Sequence, residues 1–235
     1  MISKQEIITQ ARKHGLNVGI VEKDYVLTWV LTAINKHRDL SSKWIFKGGT
    51  CLKKCYFHNY RFSEDLDFTI LDQTHLKLDF LYHVFYEIIG WIYEKTGIEI
   101  PKELVKFDMH PEISKGYVEG KIYYTGPLRQ KGSLAKIILD ITSNELLVLD
   151  AEKRHILHDY TDFSPELMFA ECYSYTEIFA EKFRALAQRL RPRDLYDIIN
   201  LYQNRSMVQD QEVLLKVIKE KFAFKTLSIP SMNDI

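Results

Sequence analysis

Residues 46–70 read FKGGTCLKKCYFHNYRFSEDLDFTI, and this stretch decides the fold. A short apolar segment runs into Gly48 and Gly49, and a later apolar segment contains Asp65 and Asp67, one residue apart. Side chains at i and i+2 of a strand point to the same side, so we expect these two carboxylates to project together from a sheet. Like charges at that spacing repel, and a cation between them relieves the repulsion. A divalent metal ion would supply that cation.

Oxygen-only ligands of this kind suit Mg²⁺ or Mn²⁺. The alternative is a strand end whose acids face solvent and cap nearby amides. The D-x-D pattern alone does not decide between the two readings, and the residues around it favour the metal.

The glycine pair lies at a predicted strand-to-helix turn, where backbone N–H groups and the helix dipole create an anion site. We predict a strand over 44–47, followed by a helix that Thr50 caps and that continues to about residue 56. Lys47 and Ser63 add a cation and a hydroxyl nearby. An anion cradle beside a metal-holding acid pair is what binding of a nucleoside triphosphate requires.

A third carboxylate would complete a two-metal site. Asp140 interrupts the apolar alternation of LAKIILDIT (134–142) and shares a face with Ile138 and Lys136. Asp108, in VKFDMH (105–110), is the runner-up, because its surroundings are less apolar. We predict that Asp140 is the third acid.

Two features stand out near the C-terminus. Lys182 lies at the edge of the apolar stripe of a predicted helix, so its amine either snorkels to water or reaches a buried anion. Pro192 suits the first turn of the next helix, on which Asp194 and Asp197 share a face. Asp194 fits an acid that stabilises a helix N-terminus, whereas Asp197 needs an arginine or a bound base as its partner.

The chain of 235 residues carries 32 basic and 32 acidic side chains, so any nucleic-acid site must come from local clustering. A candidate cluster, which fits a solvated helix face equally well, consists of Arg184, Arg189, Arg191 and Arg193. Three cysteines do not make a disulfide framework, and their spacing indicates buried small side chains. The N-terminus lacks an apolar leader and no window resembles a membrane span, so we expect a cytoplasmic protein.

Hydrophobic periodicity predicts helices, then a sheet, then helices. Helices are expected near the N-terminus with a capping box at Ser3 and Glu6, and over 21–36, 77–96, 171–190, 194–203 and 210–222; further strands are expected in VKFDMH, GKIYYTG, LAKIILDIT and ELLVLD. The predicted class is α+β (or α/β), with a mixed sheet flanked by helices and a C-terminal helical lobe. We place the boundary between residues 1–160 and 161–235.

With these motifs in place, the sequence resembles the AbiEii/AbiGii toxin family, nucleotidyltransferases of the DNA polymerase β-like superfamily. The motifs that carry the resemblance are VEKDYVLTWVL (21–31), FKGGTCL (46–52), RFSEDLDF (61–68), KIILDIT (136–142), EIFAEKFRAL (177–186) and RPRDLYDI (191–198). One departure is that Thr50 stands where the superfamily motif often has serine, which preserves the hydroxyl.

The resemblance implies metal-dependent transfer of a nucleoside monophosphate from a triphosphate to an acceptor. In relatives the acceptor is RNA, notably the tRNA 3′ end, and an antitoxin is encoded with the toxin. Carried over by motif position, the catalytic residues are Asp65, Asp67 and Asp140, which hold Mg²⁺ or Mn²⁺, and Lys182, which contacts the nucleotide or stabilises charge. The remaining nucleotide-binding positions are Lys47, Gly48, Gly49, Thr50 and Ser63, with Asp194 or Asp197 orienting that side of the cleft.

Two rivals stay open at this point. DLDFT also fits the D-x-D-x-T nucleophile motif of a haloacid-dehalogenase-like phosphatase, in which Asp65 would form an aspartyl-phosphate. That fold requires a strongly apolar strand before the motif, whereas RFSE precedes it here, and it leaves the glycine pair unexplained. A non-catalytic scaffold that binds nucleotide or RNA is the other alternative.

Overall fold

A computed structural model describes residues 1–109, 116–130, 132, 134–162 and 168–231. The described helices are α1 (Lys4–His14), α2 (Val18–Lys36), α3 (Gly48–Cys51), α4 (Leu78–Thr96), α5 (Tyr175–Arg189), α6 (Pro192–Gln203) and α7 (Gln211–Phe224). The described strands are β1 (Trp44–Lys47), β2 (Asp65–Ile70), β3 (Val105–Met109), β4 (Tyr117–Tyr124), β5 (Ala135–Thr142), β6 (Glu152–His155) and β7 (Phe169–Cys172). None of the described helices is long and apolar enough to span a membrane.

These strands form one mixed sheet in the order β3-β4-β5-β2-β1-β7-β6. β2 is antiparallel to β1 and parallel to β5, and β4 is antiparallel to both of its neighbours. The mixed α+β architecture with a helical C-terminal part confirms the predicted fold class.

The chain divides into two compact units. The first unit comprises Met1–Asn144 and Lys153–Cys172 and contains the sheet with α1 to α4. The second unit comprises Glu145–Glu152 and the residues from Tyr173 onward, and it contains α5, α6 and α7. The boundary that we expect near residue 160 stays a prediction.

In the first unit, α2 is apolar around most of its circumference and packs against α4 and β7. One of its buried acids, Asp24, has two partners. The Lys54 amine lies 2.7 Å from Asp24 Oδ2, and the Tyr160 hydroxyl donates to the same oxygen at 2.8 Å. Removing a charge from water is tolerated only when such partners replace the solvent.

Local signals predict the starts of α1 and α6 correctly, whereas the helix predicted over 171–190 begins only at Tyr175, after β7. Ser3 caps α1 through a bond from the Glu6 N–H, and Pro192 occupies the first turn of α6. The prediction for Thr50 is wrong: α3 begins at Gly48, and the buried Thr50 hydroxyl donates to the Asp65 carbonyl at 2.5 Å. The helix then continues as a π-helical turn, Leu52–Tyr56.

The strand predicted for ELLVLD (145–150) is also wrong. In the second unit this segment is irregular, and the N–H groups of Val148 and Leu149 donate to the Glu177 carboxylate at 3.1 and 3.0 Å. Glu177 is fully buried and also lies 2.7 Å from the Lys221 amine, which itself donates to the Leu146 carbonyl at 2.9 Å. A buried ion pair therefore replaces a strand partner in satisfying this backbone.

We predict that Glu177→Ala destabilises the second unit by about 3–5 kcal/mol, because Lys221 is left buried and unpaired. Hydrogen–deuterium exchange read on peptides spanning 145–150 will show lost protection of the Val148 and Leu149 amides. The control is Glu220→Ala, which removes an exposed pair with Lys216 (3.8 Å) and costs at most about 0.5 kcal/mol. Unchanged protection in Glu177→Ala would contradict this account.

Candidate active site

β2 directs both aspartates of the D-x-D motif to one face of the sheet. Asp65 and Asp67 are half-buried, whereas Leu66 and Phe68 between and beyond them are fully buried. The alternation follows from the two-residue period of an extended strand. The two carboxylates therefore share the more exposed face, as the spacing predicts.

β5 lies beside β2 in parallel, and its register pairs Asp140 with Asp67. The neighbouring pair, Leu66 with Leu139, is fully buried, so Asp140 lies on the same face as the D-x-D acids. Adjacent strands are about 4.8 Å apart. The sheet thus brings the third predicted acid to the strand next to the first two.

The same row of the sheet continues across β4 and β3. Glu119 pairs with Asp140, and Asp108 pairs with Glu119. Three strand spacings separate Asp108 from Asp67, roughly 14 Å. The Lys121 amine lies 2.9 Å from Asp108 and 2.7 Å from Glu119, so a lysine offsets part of the negative charge in the outer part of the row. We call Asp65, Asp67, Asp140, Glu119 and Asp108 the acid row.

The glycine turn lies directly against the acid row. Gly48 has a φ of 79°, a left-handed conformation that favours glycine. A Cβ added at this position would overlap the Asp67 carboxylate. Lys47, which precedes the turn, is the register partner of Asp67 on β1. The turn and the D-x-D motif are therefore in contact.

Ser63 and Arg61 lie close to Gly49, the second glycine of the turn. A Cβ on Gly49 would lie 2.8 Å from an Arg61 guanidinium nitrogen and 3.5 Å from the Ser63 hydroxyl oxygen. Sequence reasoning gave Arg61 no role, although it stands in the motif RFSEDLDF. The sequence does not predict this position, because it depends on how the chain between α3 and β2 folds back onto the glycines.

Tyr117 is a second residue that sequence reasoning missed. Its hydroxyl donates to Asp140 Oδ1 at 2.5 Å. Burial, reinforced by the Asp140 carboxylate, raises the pKa of Tyr117 well above its ordinary value, so the phenol stays protonated and remains a donor. This bond fixes one carboxylate of the acid row.

The donor set fits Mg²⁺ or Mn²⁺ in kind, because Asp65, Asp67 and Asp140 offer only oxygen. The acids are arranged as a row rather than a closed cluster. Within the described ranges, three metal-binding side chains bring their donor atoms close together at one place only, and those three are cysteines.

In the second unit, Lys182 reaches buried anions and does not snorkel. Its amine lies 2.9 Å from Asp197 Oδ2 and 3.7 Å from Asp194 Oδ1, and both carboxylates are fully buried. The partner of Asp197 is therefore a lysine, where an arginine or a bound base was expected. Asp194 accepts two bonds from Arg189, at 2.7 and 2.8 Å. Although burial acts to raise it, the Arg189 bonds and charge hold the pKa of Asp194 below its usual value.

The candidate basic surface is wrong for Arg184. Its guanidinium is buried and lies 3.2 Å from Glu145 in the second unit. Arg189 donates two hydrogen bonds to the buried Asp194. Half of the predicted cluster thus serves ion pairs inside the second unit.

A mixed sheet that carries paired aspartates against a glycine turn defines the nucleotidyltransferase class. The family model for the nucleotidyltransferase AbiEii toxin of type IV toxin–antitoxin systems matches residues 29–234, and the chain belongs to this family. This confirms the resemblance inferred from the motifs and decides against the phosphatase alternative. A search of curated proteins gives no match.

Solved structures share the fold. MenT4, a nucleotidyltransferase toxin from Mycobacterium tuberculosis H37Rv, superposes with a TM-score of 0.65 at 19% identity, covering 100% of this chain and 77% of its own. JHP933 from Helicobacter pylori gives 0.57 at 16% identity, covering 91% and 84%. A protein from H. pylori described as a putative nucleotidyltransferase gives 0.54 at 16% identity, covering 90% and 83%.

We predict that Gly48→Ala abolishes nucleotide transfer and costs about 1–2 kcal/mol in backbone strain alone. The new methyl group also forces the Asp67 carboxylate away from its position. The matched control is Gly90→Ala, at an exposed site of α4 where an added Cβ meets nothing within 4 Å. That change should stabilise the helix by about 0.5–1 kcal/mol. Thermal unfolding and a transfer assay measure both; an active Gly48→Ala enzyme would contradict the role of the turn.

Proposed function

We propose that this toxin transfers a nucleoside monophosphate from a nucleoside triphosphate to a hydroxyl of RNA, with the tRNA 3′ end as acceptor, in a reaction that depends on Mg²⁺ or Mn²⁺. The observation that carries the proposal is the register of β2 and β5, which pairs Asp67 with Asp140 beside the glycine turn. Membership of a toxin–antitoxin family supports a triphosphate substrate and a cognate antitoxin as partners.

Asp65, Asp67 and Asp140 would hold the divalent cation. When bound, such a cation neutralises phosphate charge and lowers the pKa of the attacking hydroxyl. Tyr117 keeps the Asp140 carboxylate in one orientation through its hydrogen bond, so it is a positioning residue. Asp140 is preferred over Asp108 because Asp108 lies two strands further along the row and pairs with Lys121.

The glycine turn would bind the triphosphate. Gly48 and Gly49 let phosphate oxygens approach the backbone without a Cβ in the way. Lys47, Arg61 and Ser63 supply two positive charges and a hydroxyl at the same turn. Because the Thr50 hydroxyl is buried and donates to the backbone carbonyl of Asp65, Thr50 would contribute its backbone while its side chain ties the turn to β2.

The reaction follows from this arrangement. The acceptor oxygen forms a bond to the α-phosphorus, the bond from that phosphorus to the bridging oxygen breaks, and pyrophosphate leaves with the electron pair. The proton of the acceptor hydroxyl passes to solvent. The residues of the turn hold the leaving phosphates in place during this exchange.

We predict that Asp65→Asn, Asp67→Asn and Asp140→Asn each lower transfer by about 10²–10³-fold or more while the protein stays folded. The assay incubates each nucleoside triphosphate, labelled at the α-phosphate, with total RNA and Mg²⁺, and identifies the labelled RNA. Chelation of the cation should remove the labelling.

Asp108→Asn is the matched control, since it removes a carboxylate from the same row at a distance from Asp67. We expect it to retain activity within a few-fold. Loss of activity in Asp108→Asn with retention in Asp140→Asn would reverse the assignment of the third acid. Full labelling by Asp65→Asn or Asp67→Asn would contradict the metal-dependent mechanism. Labelled protein or DNA in place of RNA would contradict the proposal that RNA is the acceptor.

For Lys182, the nucleotide-contacting role implied by the family motif remains a proposal, because its amine also neutralises Asp197. We predict that Lys182→Met lowers transfer by about 10²-fold, the scale of losing one charge-stabilising donor. Lys221→Met is the matched control: it likewise removes a buried lysine paired with a buried acid in the second unit. If both variants lose stability equally and Lys182→Met keeps the activity of Lys221→Met, Lys182 is structural only.

A further inference from the structure

All three cysteines of the chain meet at one place in the first unit. Cys51 ends α3, Cys55 lies in the π-helical turn that follows, and Cys172 ends β7. Their sulfur atoms all lie within 4.8 Å of one another, and all three residues are buried. We call them the cysteine trio.

The fold explains how residues so far apart in sequence converge. Cys51 and Cys55 are four apart on a continuous helical segment and therefore share a face. β7 runs parallel to β1, and its register pairs Cys172 with Phe46, just before the chain turns at Gly48 into α3. The third thiol thus comes from a strand 117 positions further along than Cys55.

A positive charge lies beside the trio. The Arg154 Nε donates to the Cys55 carbonyl at 2.9 Å, and the guanidinium stacks over the Tyr56 ring at 4.2 Å. Hydrogen bonds from Cys51 and Cys55 lower the pKa of Cys172, and the Arg154 charge adds to that lowering. Burial raises the pKa of Cys51. The Arg154 charge therefore lies close enough to the trio to offset negative charge on its sulfur atoms.

We propose that the cysteine trio binds one thiophilic d¹⁰ metal ion, for which Cu(I) is the best fit. Soft thiolate ligands select Cu(I), zinc and iron–sulfur clusters over the oxygen-preferring ions. Structural zinc sites almost always have four ligands, whereas no His, Asp or Glu joins the three sulfurs within the described part of the chain. A three-sulfur pocket matches the lower coordination number of Cu(I).

Binding requires the ligating thiols to lose their protons to solvent. Three thiolates around a monovalent ion leave a net charge of −2, and the Arg154 charge beside the trio reduces it to −1. Bound metal would also join α3, the π-helical turn and β7 at one point. The glycine turn that begins α3 would be held more rigidly as a result.

The test supplies Cu(I) anaerobically to the reduced protein in competition with a chromogenic Cu(I) chelator. We expect the wild-type chain to withdraw one copper per molecule, with X-ray absorption showing sulfur ligands. Cys51→Ser, Cys55→Ser and Cys172→Ser should each weaken binding by more than the ~10–100-fold that loss of an outer-shell partner costs. The unfolding temperature of the wild type should rise with Cu(I), since the ion binds only the folded trio.

The wild-type measurements stand even where a serine variant folds poorly. Arg154→Gln provides a further variant that leaves all three sulfurs in place, and it should weaken copper binding without changing its stoichiometry. Copper held through histidine nitrogen, retention of zinc in preference to copper, or no copper withdrawn from the chelator would each overturn the proposal. None of these outcomes depends on transferase activity.

Discussion

Repulsion between Asp65 and Asp67 is the constraint on which the site depends. Two carboxylates on one face of a strand are tolerated at a half-exposed position and costly deeper inside, so β2 must begin where the sheet opens to solvent. The parallel register with β5 then adds Asp140 to the same row, and the antiparallel register with β1 brings Gly48 against Asp67. A side chain at Gly48 would compete with that carboxylate for space. Sheet register and the missing Cβ are therefore parts of one arrangement, which concentrates negative charge beside an anion-binding turn.

In the second unit, the buried acids are paired with basic side chains of the same unit. Glu177 with Lys221, and Asp194 and Asp197 with Lys182 and Arg189, form internally paired sets whose acids are fully buried. Such pairs contribute less to stability than their Coulomb attraction implies, because both ions lose their solvent. They do specify geometry. Glu177 also accepts hydrogen bonds from the backbone of residues 145–150, and Asp194 accepts hydrogen bonds from two nitrogens of the Arg189 guanidinium. Loss of one partner should therefore disturb local structure more than loss of an exposed pair.

The sequence predicts what short-range rules determine. The i, i+2 period puts Asp65 and Asp67 on one face, the capping box starts α1, Pro192 starts α6, and an acid inside an apolar alternation singles out Asp140. It fails where the partner comes from a distant part of the chain. Tyr117 reaches Asp140 through the β4–β5 register, Arg61 reaches Gly49 through a folded-back loop, and Glu177 replaces the strand partners that ELLVLD lacks. Apolar composition alone cannot distinguish a strand from a segment whose amides a buried carboxylate satisfies.

The acid row and the cysteine trio are chemically independent although α3 adjoins both. Carboxylate oxygens prefer hard ions such as Mg²⁺, and thiolates prefer soft ones, so neither ion competes effectively for the other set of ligands. The link between them is mechanical: Gly48 begins α3 against Asp67, and Cys51 ends it against Cys55 and Cys172. A metal on the trio would restrain the far end of a four-residue helix whose first residue sits at the acid row. Because that helix is a single turn, a restraint at one end limits the freedom of the other, and the position of the glycine turn becomes sensitive to the state of three thiols.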